Sequence, residues 1–475
     1  MDLKKKTVRG ITWHGISRTT HFVSHLAVTV ILARLLKPSD FGLLGMANVF
    51  VSMITLLNER GWSGALVQNQ NVDARHFSSV FWVNIIFSIA MMGILFCSAP
   101  FIAVFYKSPE VSSILRVLSL VFVIDSFVIV QRALCTKELN FKNLGIIDII
   151  SSVFGGVIGV YCGFKGFGVW SLVLQIISQN SVAALLFWFT SSWRPTFMLS
   201  LTALKQIYRF SVTVTFNAVL ANITANIDYF LIGKFLGAQA LGYYTLAFKF
   251  MMLPVRNIAW IVSSVMLPAL SKVQANIEKV ANNYLKMIKG ISLIAVPLMA
   301  VLFVIIPEFI HGVIGDKWYP ATILVRIFCI CGVFRSIHLT CHPLILSQGR
   351  ADLQLKLTIL VNGVLIGAIV CGLKWGILGV TTAFTIAELC LVPYVLYRAG
   401  KLINLKLKDM SSHLIHIFVF GTILIIVLST IKLCVRLEDL YQLVMVVFAW
   451  IVISTGFMLK FEKAFIKENI LIQKP

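Results

Sequence analysis

Apolar residues fill long runs of this chain, and polar residues are confined to short gaps between them. The stretch 79–104, SVFWVNIIFSIAMMGILFCSAPFIAV, carries no charge over a length that crosses a bilayer. A transmembrane helix needs about 20 mostly apolar residues. By that measure the chain has about fourteen spans, at approximately 11–36, 41–60, 79–104, 111–134, 144–164, 167–190, 206–236, 241–267, 284–310, 321–346, 354–373, 376–398, 412–432 and 440–459. The gaps are turn-sized and carry Gly, Pro, Asn and Lys, as helix ends do. None is long enough for a soluble domain. The fold class is therefore an all-α polytopic membrane protein.

Composition agrees: 59% of the 475 residues are hydrophobic and 13% charged. Soluble domains run nearer a quarter charged. The basic start MDLKKKTVRG is followed by an apolar stretch that carries His14, Arg18, His21 and His25. That is no signal-peptide core, so a retained first helix is expected. The nine cysteines form no CxxC pair and fall mostly inside spans, where Cys packs as a small apolar residue. No metal or disulfide role is expected.

Lys and Arg set the orientation. With the N-terminus in the cytoplasm, the inner segments hold 26 of the 41 basic residues and the outer loops nine. Both termini are then cytoplasmic. The net charge of +22 follows largely from these loops, which face anionic lipid. The charge is therefore no evidence for nucleic-acid binding, and no nucleic-acid partner is expected.

The chain also repeats itself. ARLLKPSDFGLLGMA at 33–47 and GKFLGAQALGYYTLA at 233–247 keep Arg34 with Lys234, Leu36 with Leu236, Gly42 with Gly242 and Ala47 with Ala247 in register. Spans one and two thus correspond to spans seven and eight. An even number of helices between copies relates them by an axis along the membrane normal. The expected organisation is a six-helix lobe at 1–195, a pseudo-symmetric lobe at 196–400, and a helix pair with a tail at 401–475. Two such lobes can rock about a site between them.

Six cations lie within spans: Arg18, Arg116, Lys249, Arg256, Arg326 and Arg335. His14, Arg18, His21 and His25 are spaced to stack on one helical face. A mid-helix Arg costs about 2.5–3.5 kcal/mol on insertion scales, so the stripe is expected to line a wet cavity. The bland reading is an Arg18 that snorkels to the interface. The repeat partners of these four are Val214, Ala218, Ala221 and Ala225, so the halves share a frame but not chemistry. The second half instead offers Lys249 and Arg256 on its eighth helix, after a polar series of Ser211, Thr215, Asn222 and Asn226 on the seventh. Gln175, Ser178 and Gln179 suit the same lining. On the tenth helix Arg335, His338 and His342 share a face, with Arg326 opposite. The candidate substrate-binding set is Arg18, Arg256, Lys249, Arg335, His21, His25, Asn222 and Gln175. Its cations suit an anionic, phosphate-bearing substrate. The carboxylates Asp125, Asp228 and Glu388 are candidates for ion coupling or internal pairing, and Asp125 shares a helix face with Arg132 seven residues on. No GxxxxGK[ST] loop is present, and GFKGFG at 163–168 has the wrong spacing for a dinucleotide loop. No cofactor is expected; transport would run downhill or on a proton or sodium gradient.

Several stretches resemble a known family: ILARLLKPSDFGLLGMANVF at 31–50, GWSGALVQ at 61–68, GFGVWSLV at 166–173, IDYFLIGKFLGAQALGYYTLAFKFMMLP at 227–254, VMLPALSKVQ at 265–274, GDKWYPATILVRIF at 315–328 and SQGRADLQLKLTI at 347–359. They are similar to the polysaccharide transporter (oligosaccharide flippase) family of the multidrug/oligosaccharidyl-lipid/polysaccharide exporter superfamily, in its colanic-acid and teichuronic-acid exporter type. The resemblance implies two six-helix lobes, an added helix pair and a central cationic cavity. It implies flipping of undecaprenyl-pyrophosphate-linked oligosaccharide from the cytoplasmic to the periplasmic leaflet of a bacterial inner membrane. It also implies a polysaccharide polymerase and glycosyltransferases as partners. The related lipid II flippases carry functional arginines on their first and eighth helices, and Arg18 and Arg256 look similar.

A cation-coupled multidrug or metabolite antiporter of the same superfamily is the alternative; its cavity would favour acids over these cations. A membrane glycosyltransferase or polymerase would need an acidic site with a long outer loop or soluble domain, and neither is visible. A scaffold would leave the buried cations without a purpose. The chain is expected to be a transporter, not an enzyme.

Overall fold

The structure is a computed structural model. It describes the backbone of residues 24, 26–68, 73–138, 140–261, 266–435 and 437–461, without the side chains of 58–65, 67, 68, 74, 201–221, 256–261, 459 and 461. Every regular element among the described residues is helical. In order these are α1 (Leu26–Leu35), α2 (Pro38–Gln68), α3 (Ala74–Tyr106), α4 (Glu110–Leu118), α5 (Leu120–Ser126), α6 (Ile129–Lys137), α7 (Phe141–Phe164), α8 (Val169–Thr190), α9 (Leu201–Ile261), α10 (Leu267–Lys272), α11 (Ile277–Glu308), α12 (Ala321–His338), α13 (Cys341–Ser347), α14 (Ala351–Gly372), α15 (Gly376–Gly400), α16 (Leu407–Cys434) and α17 (Asp439–Phe461).

Their starts and stops have local causes. Asp73 caps α3, its Oδ1 accepting the N–H groups of Arg75 at 3.0 Å and His76 at 3.2 Å. The His76 ring bonds to the same carboxylate, which holds the Asp73 carboxyl below the usual carboxylate range. Asn276 caps α11 by accepting from the Lys279 N–H at 3.0 Å. α9 is two helices meeting at Gly237, whose φ of 83° suits glycine alone.

Nine stretches among the described residues are long and apolar enough to cross a membrane, or ten if the pair Glu110–Ser126 and Ile129–Lys137, bent by 42°, is one crossing. One of the nine, Ala351–Ile403, contains α14 and α15, which pack on each other across a turn at Gly376. At 1.5 Å per residue its length is more than twice a hydrocarbon core of about 30 Å, so it makes two passes. The expected first span lies mostly outside the described residues, and the count of fourteen and the orientation of the termini stay expectations. Large apolar side chains such as Phe101, Phe189 and Ile359 stand exposed on the helices. In a membrane that surface meets lipid.

The chain divides into two compact units, 1–242 and 243–475. In the first, α7 packs through a face of glycines. A Cβ on Gly155 would come within 2.8 Å of the Gln175 carbonyl, and one on Gly156 within 2.5 Å of Val28. Small residues let α8 and α1 close on α7, as small-xxx-small patterns do in membranes. The two repeat copies also meet inside this unit. A Cβ on Gly42 would fall 1.7 Å from the Ala238 carbonyl oxygen, and one on Gly242 1.8 Å from that of Pro38.

In the second unit α11 is the central helix, packed against α12, α16 and α17. Val304, Leu424, Leu428 and Val446 form a core there, with Phe420 stacked on Phe457 at 3.8 Å. The tenth span is interrupted between α12 and α13 at Leu339–Thr340. The Thr340 hydroxyl donates back to the Ile337 carbonyl at 2.7 Å and shares a 3.0 Å hydrogen bond with the buried Tyr284 hydroxyl. Arg335, His338 and His342 are each at least partly exposed along the 27-residue span Ala321–Ser347, with His342 on α13.

Candidate functional site

α15 buries one stripe against its neighbours: Val380, Phe384, Ala387, Leu391 and Val395 recur at helical spacing. Glu388 sits in the middle of that stripe with 0% of its side chain exposed. A carboxylate cannot stay ionised there without partners. α12 supplies two. His338 Nδ1 lies 2.9 Å from Oε1, and Arg335 Nη1 donates to Oε2 at 3.5 Å. Arg335 and His338 both stand in the last turn of α12, one turn apart. The Arg335 guanidinium also lies over the Phe384 ring, 5.8 Å from its centre. Arg335 and His338 each keep about a quarter of their side chain exposed. The group is thus open on its cationic side and closed on its anionic side.

Arg326, on the opposite face of α12, donates to the Phe303 carbonyl at 3.3 Å and packs over that ring. Lys249 is half-buried on α9. Asn222 is half-buried and accepts from the Ser52 hydroxyl at 3.3 Å. Gln175 is half-buried, its stem against Gly159. Asp228 is buried and accepts the Tyr229 N–H at 2.9 Å. Asp125 is half-buried at the end of α5. The seven-residue spacing of Asp125 and Arg132 does not bring them onto one straight face, because the helix is broken between them; Arg132 pairs with Asp148 of α7 at 2.9 Å. His14, Arg18, His21 and His25 lie outside the described residues, as does the side chain of Arg256.

Sequence reasoning missed a second charged group. Lys432 of α16 pairs with Glu308 at the end of α11, and His311 bonds to Asp439 at the start of α17 and lies 3.1 Å from Asp316. The signal was an acid at each helix end with a cation at a neighbouring one. A cavity of about 180 Å³ between α11, α12 and α16 is lined by Phe303, Phe334, Phe418 and other apolar groups. Cys329 and Thr422 are its only polar side chains, so it does not suit a charged headgroup. No cluster of His, Cys, Asp and Glu among the described residues could hold a metal ion.

Comparison with known proteins agrees with this architecture. The pattern of the polysaccharide biosynthesis protein family matches residues 31–323. The lipopolysaccharide biosynthesis protein WzxC of Escherichia coli (strain K12) is 26% identical over 396 residues, 82% of this chain and 80% of the relative. The teichuronic acid biosynthesis protein TuaB of Bacillus subtilis (strain 168) is 27% identical over 359 residues, 74% and 73% of the two chains. Among solved structures, the lipid II flippase MurJ in its inward closed conformation aligns with a TM-score of 0.74 at 15% identity, covering 94% of this chain and 98% of that one. That likeness is one of fold. The chain belongs to the polysaccharide biosynthesis protein family and is a multi-pass membrane protein.

Proposed function

We propose that this protein is a flippase for undecaprenyl-pyrophosphate-linked oligosaccharide repeat units, moving them from the cytoplasmic to the periplasmic leaflet for surface polysaccharide assembly. Family membership carries this reading. A pyrophosphate and its sugars cannot enter hydrocarbon unaided, because each unpaired polar group there costs several kcal/mol. The cations proposed to receive the headgroup are Arg335, which is partly exposed, together with Arg18, Lys249 and Arg256. Arg is suited to phosphate by its planar set of donors. Two lobes would alternate access around this cationic space while the prenyl tail stays in lipid. Asp125 and Asp228 are the proposed carboxylates for proton or sodium coupling. A polymerase and glycosyltransferases are the proposed pathway partners.

The test is a strain lacking this protein, with the first glycosyltransferase under inducible control. Mass spectrometry of its lipids is expected to show accumulated prenyl-pyrophosphate oligosaccharide, together with lost surface polymer. Normal lipid intermediates with normal polymer would overturn the proposal and favour a cation-coupled antiporter.

A further inference from the structure

Glu388 is held by two groups of unequal grip. His338 contacts Oε1 at 2.9 Å. Arg335 reaches Oε2 with one nitrogen at 3.5 Å, the long end of hydrogen bonding. A guanidinium carries five N–H donors in a planar fork, and Glu388 takes only one bond from it. The rest of the Arg335 head is stacked on Phe384 and partly exposed.

We propose that Glu388 and His338 form a latch that keeps Arg335 in place yet releasable to a phosphate group. On binding, a lipid diphosphate headgroup draws Arg335 off Glu388, and His338 stays as the partner of the buried carboxylate. This rests on the substrate class proposed above and adds the residues that discriminate for it. A diphosphate offers Arg335 two parallel charge-assisted bonds in exchange for one long one, so the exchange is favourable. A neutral or cationic cargo offers none, and Arg335 then stays on Glu388. Without His338 the exchange would strand an ionised carboxylate in an apolar stripe, which is strongly unfavourable. The arrangement depends on the interruption of the tenth span. α12 ends at His338, one turn after Arg335, and Thr340 is pinned to Tyr284. His338 is fixed by that end, while Arg335 extends on a long side chain that can leave.

The fourth span, the counterpart of the tenth in the repeat, is interrupted too, between α4 and α5 and between α5 and α6. Interrupted segments in corresponding positions of two halves mark substrate sites in transporters.

The test measures binding of farnesyl diphosphate, with farnesol as the control, to the full chain in lipid nanodiscs. Glu388→Gln frees Arg335 and is expected to tighten diphosphate binding by roughly threefold, with farnesol unchanged. Arg335→Lys is expected to weaken it by about tenfold, and His338→Gln by roughly threefold. In an Arg335→Gln background, Glu388→Gln is expected to change nothing. Melting temperature reports folding of each variant; if Glu388→Gln does not fold, Glu388→Asp, which retracts the carboxylate by one methylene, is expected to give a smaller gain. An unchanged affinity in Glu388→Gln, or an equal gain without Arg335, overturns the latch. Failure of the parent chain to prefer the diphosphate over farnesol overturns the lipid-diphosphate reading itself, and the latch with it.

Discussion

Arg132 and Asp148 meet at 2.9 Å, but both side chains are more than a third exposed. Such pairs contribute about 0–1 kcal/mol. Glu308 is 10% exposed and its partner Lys432 22%, and here removal of one member leaves a charge with little solvent to replace it. Glu308→Ala is therefore expected to cost roughly 3 kcal/mol, against roughly 0.5 kcal/mol for Asp148→Asn. Thermal melts of the two purified variants in one detergent check this; equal shifts would show that burial does not set the difference. Residue types and spans were legible in the sequence at this scale, and partnerships were not. Glu388 stood out as an acid in an apolar run, but its partners lie 50 and 53 residues away on another helix. Spacing along one helix reports only neighbours within a few turns. That is also why Arg132 was set beside Asp125 rather than Asp148.

Helix ends and breaks show which local rules governed the elements. Proline was the expected breaker, yet Pro100, Pro254, Pro297 and Pro393 lie inside α3, α9, α11 and α15. Neighbouring helices can absorb the lost hydrogen bond within a membrane bundle. Hydroxyl residues stand at three of the breaks, and at Leu339–Thr340 Pro343 adds to the effect, because it has no N–H for the Leu339 carbonyl. Ser119 and Ser126 each donate to the carbonyl three residues back at 2.6 Å, and Thr340 does so at 2.7 Å. These bonds compete with the helical ladder and loosen it. The composition of LSLVFVIDSFVIV gave no such warning, since Ser is common in intact spans too. Glycine carried more information than proline. Gly155 faces Gln175 and Gln179, whereas Gly367 of α14 has open space where a Cβ would stand. Gly155→Leu is expected to destabilise by about 1–3 kcal/mol through forced separation of α7 and α8. Gly367→Ala is expected to be neutral or to stabilise by about 0.5–1 kcal/mol, because alanine loses less backbone freedom on folding. Unfolding monitored by tryptophan fluorescence would separate them, and comparable losses at both sites would sink the packing argument.

At the scale of the whole chain, the sequence repeat has a structural consequence that pattern alone could not disclose. The 200-residue offset shows which positions correspond: 38 with 238 and 42 with 242. It does not show that one copy touches the other. In the structure Gly42 meets the backbone of Ala238, and Gly242 meets that of Pro38, so each contact is the other with its partners exchanged. That reciprocity is what a two-fold relation between copies produces at its axis. It explains glycine in both copies at the tenth position of the shared pattern: any side chain there would occupy backbone. Gly42→Val and Gly242→Val should then destabilise to similar extents, each by about 1–3 kcal/mol or more. They should also be strongly non-additive, since residues sharing a contact couple by roughly 0.5–3 kcal/mol. Either valine forces the same two helix starts apart, and the second then enters space already opened. Melting temperatures of the two singles and the double decide the matter. A double shift close to the larger single supports one shared contact, whereas a shift equal to the sum would mean two independent sites and no reciprocal packing.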